Sequence, residues 1–265
     1  MSEPEAPEAG GAPEARDASP PVKPKRFDSS AADLESKRTM TWIKRLLIGG
    51  GSLGTLMGVG LGLVFGIHKL PSGSMWPTLT VGERLFTTRL ATQPFRGVVL
   101  VFRHPEHRGQ LFAKRVVGLA GDVVSVKGGE VTINGWNVPR CMVGRASYRE
   151  QDMGGESGKH EGTLFVEWLG LASYLVFEEK SSLAEPGEWK VAPGEYFVLG
   201  DNRNNSHDSR MWFGGKGGGV PLADTKGRIV GHETAEVPTG AEDLAPALAA
   251  CLAKRPAQTD PPPAK

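Results

Sequence analysis

Cysteine is scarce in this chain: two residues in 265, Cys141 and Cys251, far apart in sequence. Two such positions give neither a zinc-type spacing nor a disulfide framework, and they leave the redox compartment open. A charge excess of one sign is also missing. Lys and Arg number 31 against 30 Asp and Glu, so the net charge is +1 and the electrostatic case for a nucleic-acid partner falls away. No G-x-S-x-G elbow surrounds the serines Ser72 and Ser74, so an α/β-hydrolase triad is not indicated there. No pattern implies a metal or an organic cofactor. Glycine (36) and proline (20) are plentiful, which points to a loop-rich β fold or to disordered ends.

Residues 1–36 are rich in Ala, Pro and Glu and nearly free of bulky apolar side chains. Such a segment cannot bury enough surface to offset its ordering entropy, so it is expected to be disordered. It is too long and too acidic for the n-region of a signal peptide. Residues 37–69 form an expected membrane anchor with a basic flank. Leu46–Ile67 is a run of 22 residues without a charge, and a helix needs roughly 20 to cross the hydrocarbon core. Its eight glycines would weaken a helix in water but are common in membrane spans. Gly50, Gly54, Gly58, Gly62 and Gly66 recur every four residues, a smooth stripe that would allow a second helix to approach closely. A glycine-rich span without a partner would carry the same stripe.

Lys37, Arg38, Lys44 and Arg45 precede the run, while His68 and Lys69 follow it. The positive-inside rule then places the N-terminus in the cytoplasm and the rest of the chain beyond the bilayer. Trp42 fits an interfacial anchor, and no small-residue cleavage site follows the run directly. A second apolar stretch, "LAPALAACLAK", is too short to span.

From residue 70 to 238 the pattern changes to short runs of β-branched and aromatic residues bounded by Gly, Pro, Asn and Asp. The expected fold is mainly β, with antiparallel sheets or a distorted β-barrel. Within "VVSVKGGEVTING", Gly128-Gly129 supplies the positive φ of a hairpin turn. No long amphipathic helix interrupts the strands. Residues 239–265 read as a tail, with a short helix fitting Ala241–Lys254.

"KLPSGSMWPTL" follows the apolar run and carries Ser72 and Ser74. Alone it reads as a turn, where hydroxyls bond nearby backbone. A serine nucleophile needs a base. Six histidines are available (His68, His104, His107, His160, His207 and His232), none in a distinguishing pattern. The other base is a lysine whose burial lowers its pKa. "QLFAKRVVGLAGD" offers Lys114 within a strand, sharing a face with Phe112 and Val116, while Arg115 points the other way. An edge strand with two solvated cations would read the same. "GDNRNNSHDSR", after the strand "EYFVL", concentrates Asp, Arg, Asn and Ser densely enough for a closed polar network, although a plain loop would look similar.

Four stretches in order after an apolar run, "PSGSMWPTL", "RGVVLVF", "KRVVGLAGD" and "GDNRNNSHDSR", resemble the sequence boxes of bacterial type I signal peptidases. The resemblance organises residues 46 to 237. It implies Ser74 as nucleophile and Lys114 as general base, with the Ser74 N–H and the Ser72 hydroxyl forming the oxyanion hole. It implies that Ser206 orients Lys114, that Asp201, Arg203, Asp208 and Arg210 form a supporting polar box, and that Arg115 pairs with one of its aspartates. Leu70, Pro71, Met75, Leu79, Phe112 and Ala113 would line pockets for small residues of an Ala-x-Ala site. Residues 139–190 would form an accessory β subdomain. The implied activity is membrane-bound cleavage of signal peptides from exported preproteins, at the extracytoplasmic face of the bacterial inner membrane.

A dedicated maturation protease with few substrates, or an inactive anchored homologue, are the competing readings. Trp76, Trp212 and Phe213 are expected either at the membrane interface or in the core. Val98, Ala120 and Asn204 stand where the family usually has aspartate, proline and an acidic residue. Cys141 has no nearby cysteine, so the disulfide some relatives carry is not expected.

Overall fold

The computed structural model describes residues 62, 64–90, 92–149, 158–180, 186–232 and 241–264. The expectations for residues 1–36, for the basic flank with Trp42, for most of the apolar run and for Gly50, Gly54 and Gly58 lie outside the described residues. Among the described residues no helix is long and apolar enough to cross a membrane.

The first strand corrects one boundary. Phe65–Lys69 (β1) is not a helix end but pairs antiparallel with Arg84–Thr88 (β2), Ile67 opposite Phe86. Phe65 and Ile67 are exposed while Gly66 and His68 are half-buried. This two-residue period was hidden because the preceding residues are uniformly apolar, so alternation had no polar contrast. Gly66, the last glycine of the stripe, thus belongs to a strand.

The chain continues through Val99–Arg103 (β3), Leu111–Leu119 (β4), Val123–Lys127 (β5), Glu130–Ile133 (β6) and Trp136–Asn137 (β7). Arg140–Arg149 (β8), Lys159–Leu169 (β9) and Ala172–Glu179 (β10) follow. Gly187–Lys190 (β11), Glu195–Leu199 (β12), Val220–Pro221 (β13), Thr225–His232 (β14) and the helix Ala241–Leu252 (α1) complete it. A seven-stranded antiparallel sheet has the order β1-β2-β14-β3-β4-β12-β13. A four-stranded sheet (β11-β5-β6-β7) and a three-stranded sheet (β10-β9-β8) complete the β structure among the described residues. The fold is mainly β, as the sequence implies. Gly128 and Gly129 close the β5–β6 hairpin with φ of +56° and +81°, the conformation a two-residue type I′ turn requires.

β4 lies between β3 and β12, and both its faces are covered. Lys114 and Arg115 leave on opposite faces, across from Leu100 and Val99 of β3, yet both are buried. The edge-strand alternative is therefore set aside.

The C-terminal segment is not a free tail. Leu244, Ala247, Leu248 and Cys251 of α1 pack against Trp76, Val143, Leu164 and Val166. Beyond the helix, Thr259 exchanges hydrogen bonds with the backbone of Gly170, and Pro262 accepts one from Asn134 Nδ2 at 2.8 Å. Cys141 and Cys251 form a disulfide, with Cα atoms 5.7 Å apart and a sequence separation of 110. This overturns the expectation of no disulfide. The pairing depends on α1 folding back onto β8, a long-range contact that sequence spacing does not carry. Trp76 and Trp212 are buried in the core, whereas Phe213 is exposed. Core packing therefore decides the first two, through a stack on Tyr148 for Trp76 and an edge contact with Phe102 for Trp212.

The crosslink closes a long loop in the unfolded chain. Replacing both cysteines by serine is expected to cost about 2–4 kcal/mol, seen as a lower melting temperature. Unchanged melting of the Cys141→Ser/Cys251→Ser chain would show that the strap adds nothing.

Candidate active site

Ser74 lies in a single 3-10 turn, Gly73–Met75, between β1 and β2. The turn is held from behind by Asn202, in the loop after β12. The Asn202 N–H donates to Ser74 O at 3.1 Å, and its Nδ2 donates to Gly73 O at 3.2 Å and to Tyr148 Oη at 2.6 Å. Sequence reasoning did not single out Asn202. Gly200 is required here by close approach. A Cβ at that position would come 2.5 Å from Ser74 O and 2.1 Å from Ser206 Oγ.

Lys114 Nζ donates a hydrogen bond to Ser74 Oγ, and Ser72 Oγ is 3.2 Å from the same atom. Burial disfavours the ammonium and lowers the Lys114 pKa to about 8. Asp208 and Asp201 oppose this shift, and Arg210 adds to it. A fraction of Lys114 is therefore neutral near pH 7, and its lone pair can accept the Ser74 proton. No histidine hydrogen-bonds Ser74 among the described residues. His104 is fully buried, and its Nδ1 accepts from the Glu106 and His107 N–H groups at 3.2 and 3.0 Å. Burial, His207 and His107 lower its pKa to about 4, so it stays neutral.

The polar box divides into three pairs, each bracing a different contact. Arg115 binds Asp201 through Nε and Nη2 at 2.7 and 2.5 Å, donates to Gly97 O at 2.6 Å, and lies over the Tyr174 ring. Thr78 Oγ1 also donates to Asp201. Arg210 clamps Asp208 at 2.8 and 2.9 Å, and Asp208 accepts from the Gly200 N–H at 3.0 Å. Burial raises the Asp208 pKa, but Arg210 and these hydrogen bonds outweigh it and hold the carboxylate low. Arg203 does not pair inside the box. It reaches Glu167 on β9 through Nη1 and Nη2, and Nη1 also donates to Gly129 O at 2.9 Å. Arg203 thereby ties the loop after β12 to both other sheets.

Glu167 was missed, and its signal was a lone carboxylate in the apolar run "TLFVEWLG". Ser206 is buried, and among the described residues its Oγ has no hydrogen-bond partner, Lys114 included. Asn204, where an acidic residue is usual, caps β10 by accepting from the Glu179 N–H at 3.1 Å.

Ser74 and Lys114 line a cleft of about 360 Å³. Of the apolar residues expected to line it, Leu70, Pro71, Phe112 and Ala113 do so. Met75 and Leu79 instead pack behind its wall with Leu85 and Val101. Leu85, Val101, Leu111 and His207 were not foreseen as lining residues.

A serine hydroxyl hydrogen-bonded to a buried amine beside a largely apolar cleft is an arrangement in which an amine could activate a hydroxyl for nucleophilic attack. The chain belongs to the signal peptidase family of S26 peptidases, whose pattern it matches over residues 40–232. It is 38% identical to signal peptidase I of Pseudomonas aeruginosa over 162 residues, 54% of each chain. It is 37% identical to that of Pseudomonas fluorescens over the same length and the same shares. Signal peptidase I of Aquifex aeolicus is 29% identical over 202 residues, 65% of this chain and 77% of its own. The matched region thus spans about half the length of the first two relatives. A crystal structure of a signal peptidase I from Enterococcus faecalis is 25% identical and covers 52% of this chain and 97% of its own. Its TM-score is 0.30, too low to bear on the fold.

Proposed function

We propose that this chain is a membrane-anchored serine endopeptidase that removes signal peptides from exported preproteins, with Ser74 as nucleophile and Lys114 as general base. The observation that carries this reading is the hydrogen bond between the buried Lys114 amine and Ser74 Oγ. Neutral Lys114 takes the Ser74 proton as Oγ attacks the scissile carbonyl. The oxyanion meets the Ser74 N–H and the Ser72 hydroxyl, an electrostatic contribution of about 3 kcal/mol per donor. Lys114 then protonates the leaving amine; neutral again, it takes a proton from a water that attacks the acyl carbonyl, and returns that proton to Ser74 Oγ as the acyl group leaves as a carboxylic acid. Alanine-sized residues at the first and third positions before the cut suit a shallow cleft walled by Leu70 and Ala113. Family membership supports signal peptides as the substrate class.

The uncharged run supports the anchor. The disulfide supports an extracytoplasmic site for the catalytic residues, because such bonds persist in oxidising compartments. The expected result is cutting of a purified preprotein after its Ala-x-Ala sequence, read by N-terminal sequencing of the product. A tryptophan in place of the last alanine should stop it. Failure to cut the unaltered precursor, or equal cutting of both, would reject the reading.

A further inference from the structure

A second hollow, of about 670 Å³, adjoins the catalytic cleft and shares His68 and Leu111 with it. It continues the cleft by one step of the pleat. In the β3–β4 pair Val101 stands opposite Ala113, and Arg103 opposite Leu111. Residues two apart on a strand share a face, so these side chains lie on one face in two rows. Val101 and Ala113 line the cleft, and Arg103 and Leu111 line the hollow.

The step between the rows changes the chemistry. Leu70, Leu85, Val101 and Ala113 make the cleft apolar. Arg103, Arg108 and Lys226 line the hollow, with Thr92 and Thr225 beside them, and no carboxylate is in its wall. Arg108 is already held by Asp224 at 2.9 Å, and Arg89, also in the wall, is engaged elsewhere, in part by Gly62 O at 3.5 Å. Arg103 and Lys226 make no ion pair or side-chain hydrogen bond among the described residues. Arg103 is exposed and Lys226 half-buried, so a ligand can reach both. Two unmatched cations facing one hollow repel each other and suit an anion.

The cleft fixes where that anion sits on a substrate. β12 pairs with Arg115–Leu119 of β4 and leaves Leu111–Lys114 without a neighbour on that side among the described residues. A peptide laid extended along this open edge turns alternate side chains the same way, about 7 Å apart. With the first and third residues before the cut against the apolar row, the fifth reaches the hollow.

We propose that this hollow is a substrate subsite for the carboxylate of an aspartate or glutamate five residues before the cut, with Arg103 and Lys226 as the cations that select it. The inference rests on the peptidase reading above. A lipid phosphate fits less well, because the hollow lies on the cleft's side of β1, with His68, and not with the exposed Phe65 and Ile67.

The test uses the full Ser74→Ala chain in nonionic detergent micelles, which can bind a substrate without cutting it. Fluorescent peptides spanning an Ala-x-Ala cut site carry Glu or Gln at the fifth residue before the cut, or Glu at the fourth, and affinity is read by anisotropy. Each partly exposed ion pair contributes up to about fivefold, so the fifth-position Glu peptide is expected to bind about tenfold more tightly than the Gln peptide at low salt. Adding Arg103→Gln/Lys226→Gln should bring the two peptides to equal affinity and leave binding of the Gln peptide unchanged. Lys127→Gln/Lys190→Gln, the same charge loss on another sheet, should keep the preference. Glu at the fourth residue, whose side chain points away, should lose most of it. Equal affinity for the Glu and Gln peptides overturns the proposal, as does a Glu preference that survives Arg103→Gln/Lys226→Gln. Equal preference for Glu at the fourth and fifth residues would make the hollow an unselective basic surface and also overturns it. So would displacement of the fifth-position Glu peptide by phosphatidylglycerol doped into the micelles, but not by phosphatidylcholine, which would assign the hollow to a lipid headgroup. Cleavage of the same peptides by the wild-type chain is read separately. If none is cut, the peptidase reading fails, while the binding ratio, which needs no cleavage, still decides the subsite.

Discussion

Lys114→Met is expected to lower kcat roughly 10⁴-fold, the upper range for loss of a general base, while making the folded protein more stable at pH 7. Ser74→Ala should lower kcat more, by about 10⁶-fold, the scale seen when an activated serine is removed. The stability gain for Lys114→Met follows from the buried amine. Its folded pKa is about 8, against 10.5 when unfolded. Between these values the unfolded chain binds the extra proton, so wild-type stability rises with pH through that window and is lowest below pH 8. Methionine removes that cost, stabilising the variant by up to about 3 kcal/mol at neutral pH. The advantage should shrink as pH rises from 8 toward 10.5.

The same amine sets the rate profile. kcat/KM should rise with pH to an acidic limb near 8 and level off above it, because the neutral amine is the active form. Bound substrate excludes water and disfavours the ammonium further, so the kcat limb should lie lower. A limb near 6.5 that survives Lys114→Met would assign the base to a histidine instead. A Lys114→Met chain less stable than wild type at pH 7 would show that the buried ammonium is not a cost to the fold.

The features legible in the sequence are those set by short range. Gly128-Gly129 announces its turn because positive φ is a property of two adjacent residues. The opposite orientations of Lys114 and Arg115 follow from the pleat, and the register confirms them. Partners set by tertiary folding were not legible. Cys141 meets Cys251 only because α1 folds back, and Arg203 finds Glu167 on a strand from another sheet. Met75 and Leu79 show a third limit. Sequence identifies them as apolar near Ser74, but not whether they face the cleft or the core behind it. β1 shows a fourth, since a strand that continues an apolar run has no polar contrast to reveal its period.

The Arg203–Glu167 pair carries the second large effect. Both side chains are about 1% exposed, and Arg203 also donates to Gly129 O. Glu167→Ala leaves a buried guanidinium with no counter-charge, at an expected cost of about 3–5 kcal/mol. The loss should appear as a fall in melting temperature and in the urea midpoint. Replacing both residues by apolar ones of similar length, Arg203→Met with Glu167→Leu, removes the charge and its partner together. That chain is expected to recover most of the lost stability, since buried pairs often gain little over well-packed apolar groups. Its catalytic rate separates anchoring from stability. Arg203 braces the loop carrying Gly200 and Asn202, which hold the Ser74 turn. A double variant with restored stability but lowered kcat would show that the pair positions this loop. Restoration of both would confine it to stability. A double variant as unstable as Glu167→Ala would reject the unpaired-charge explanation and place the cost in the lost contacts to the β5–β6 hairpin.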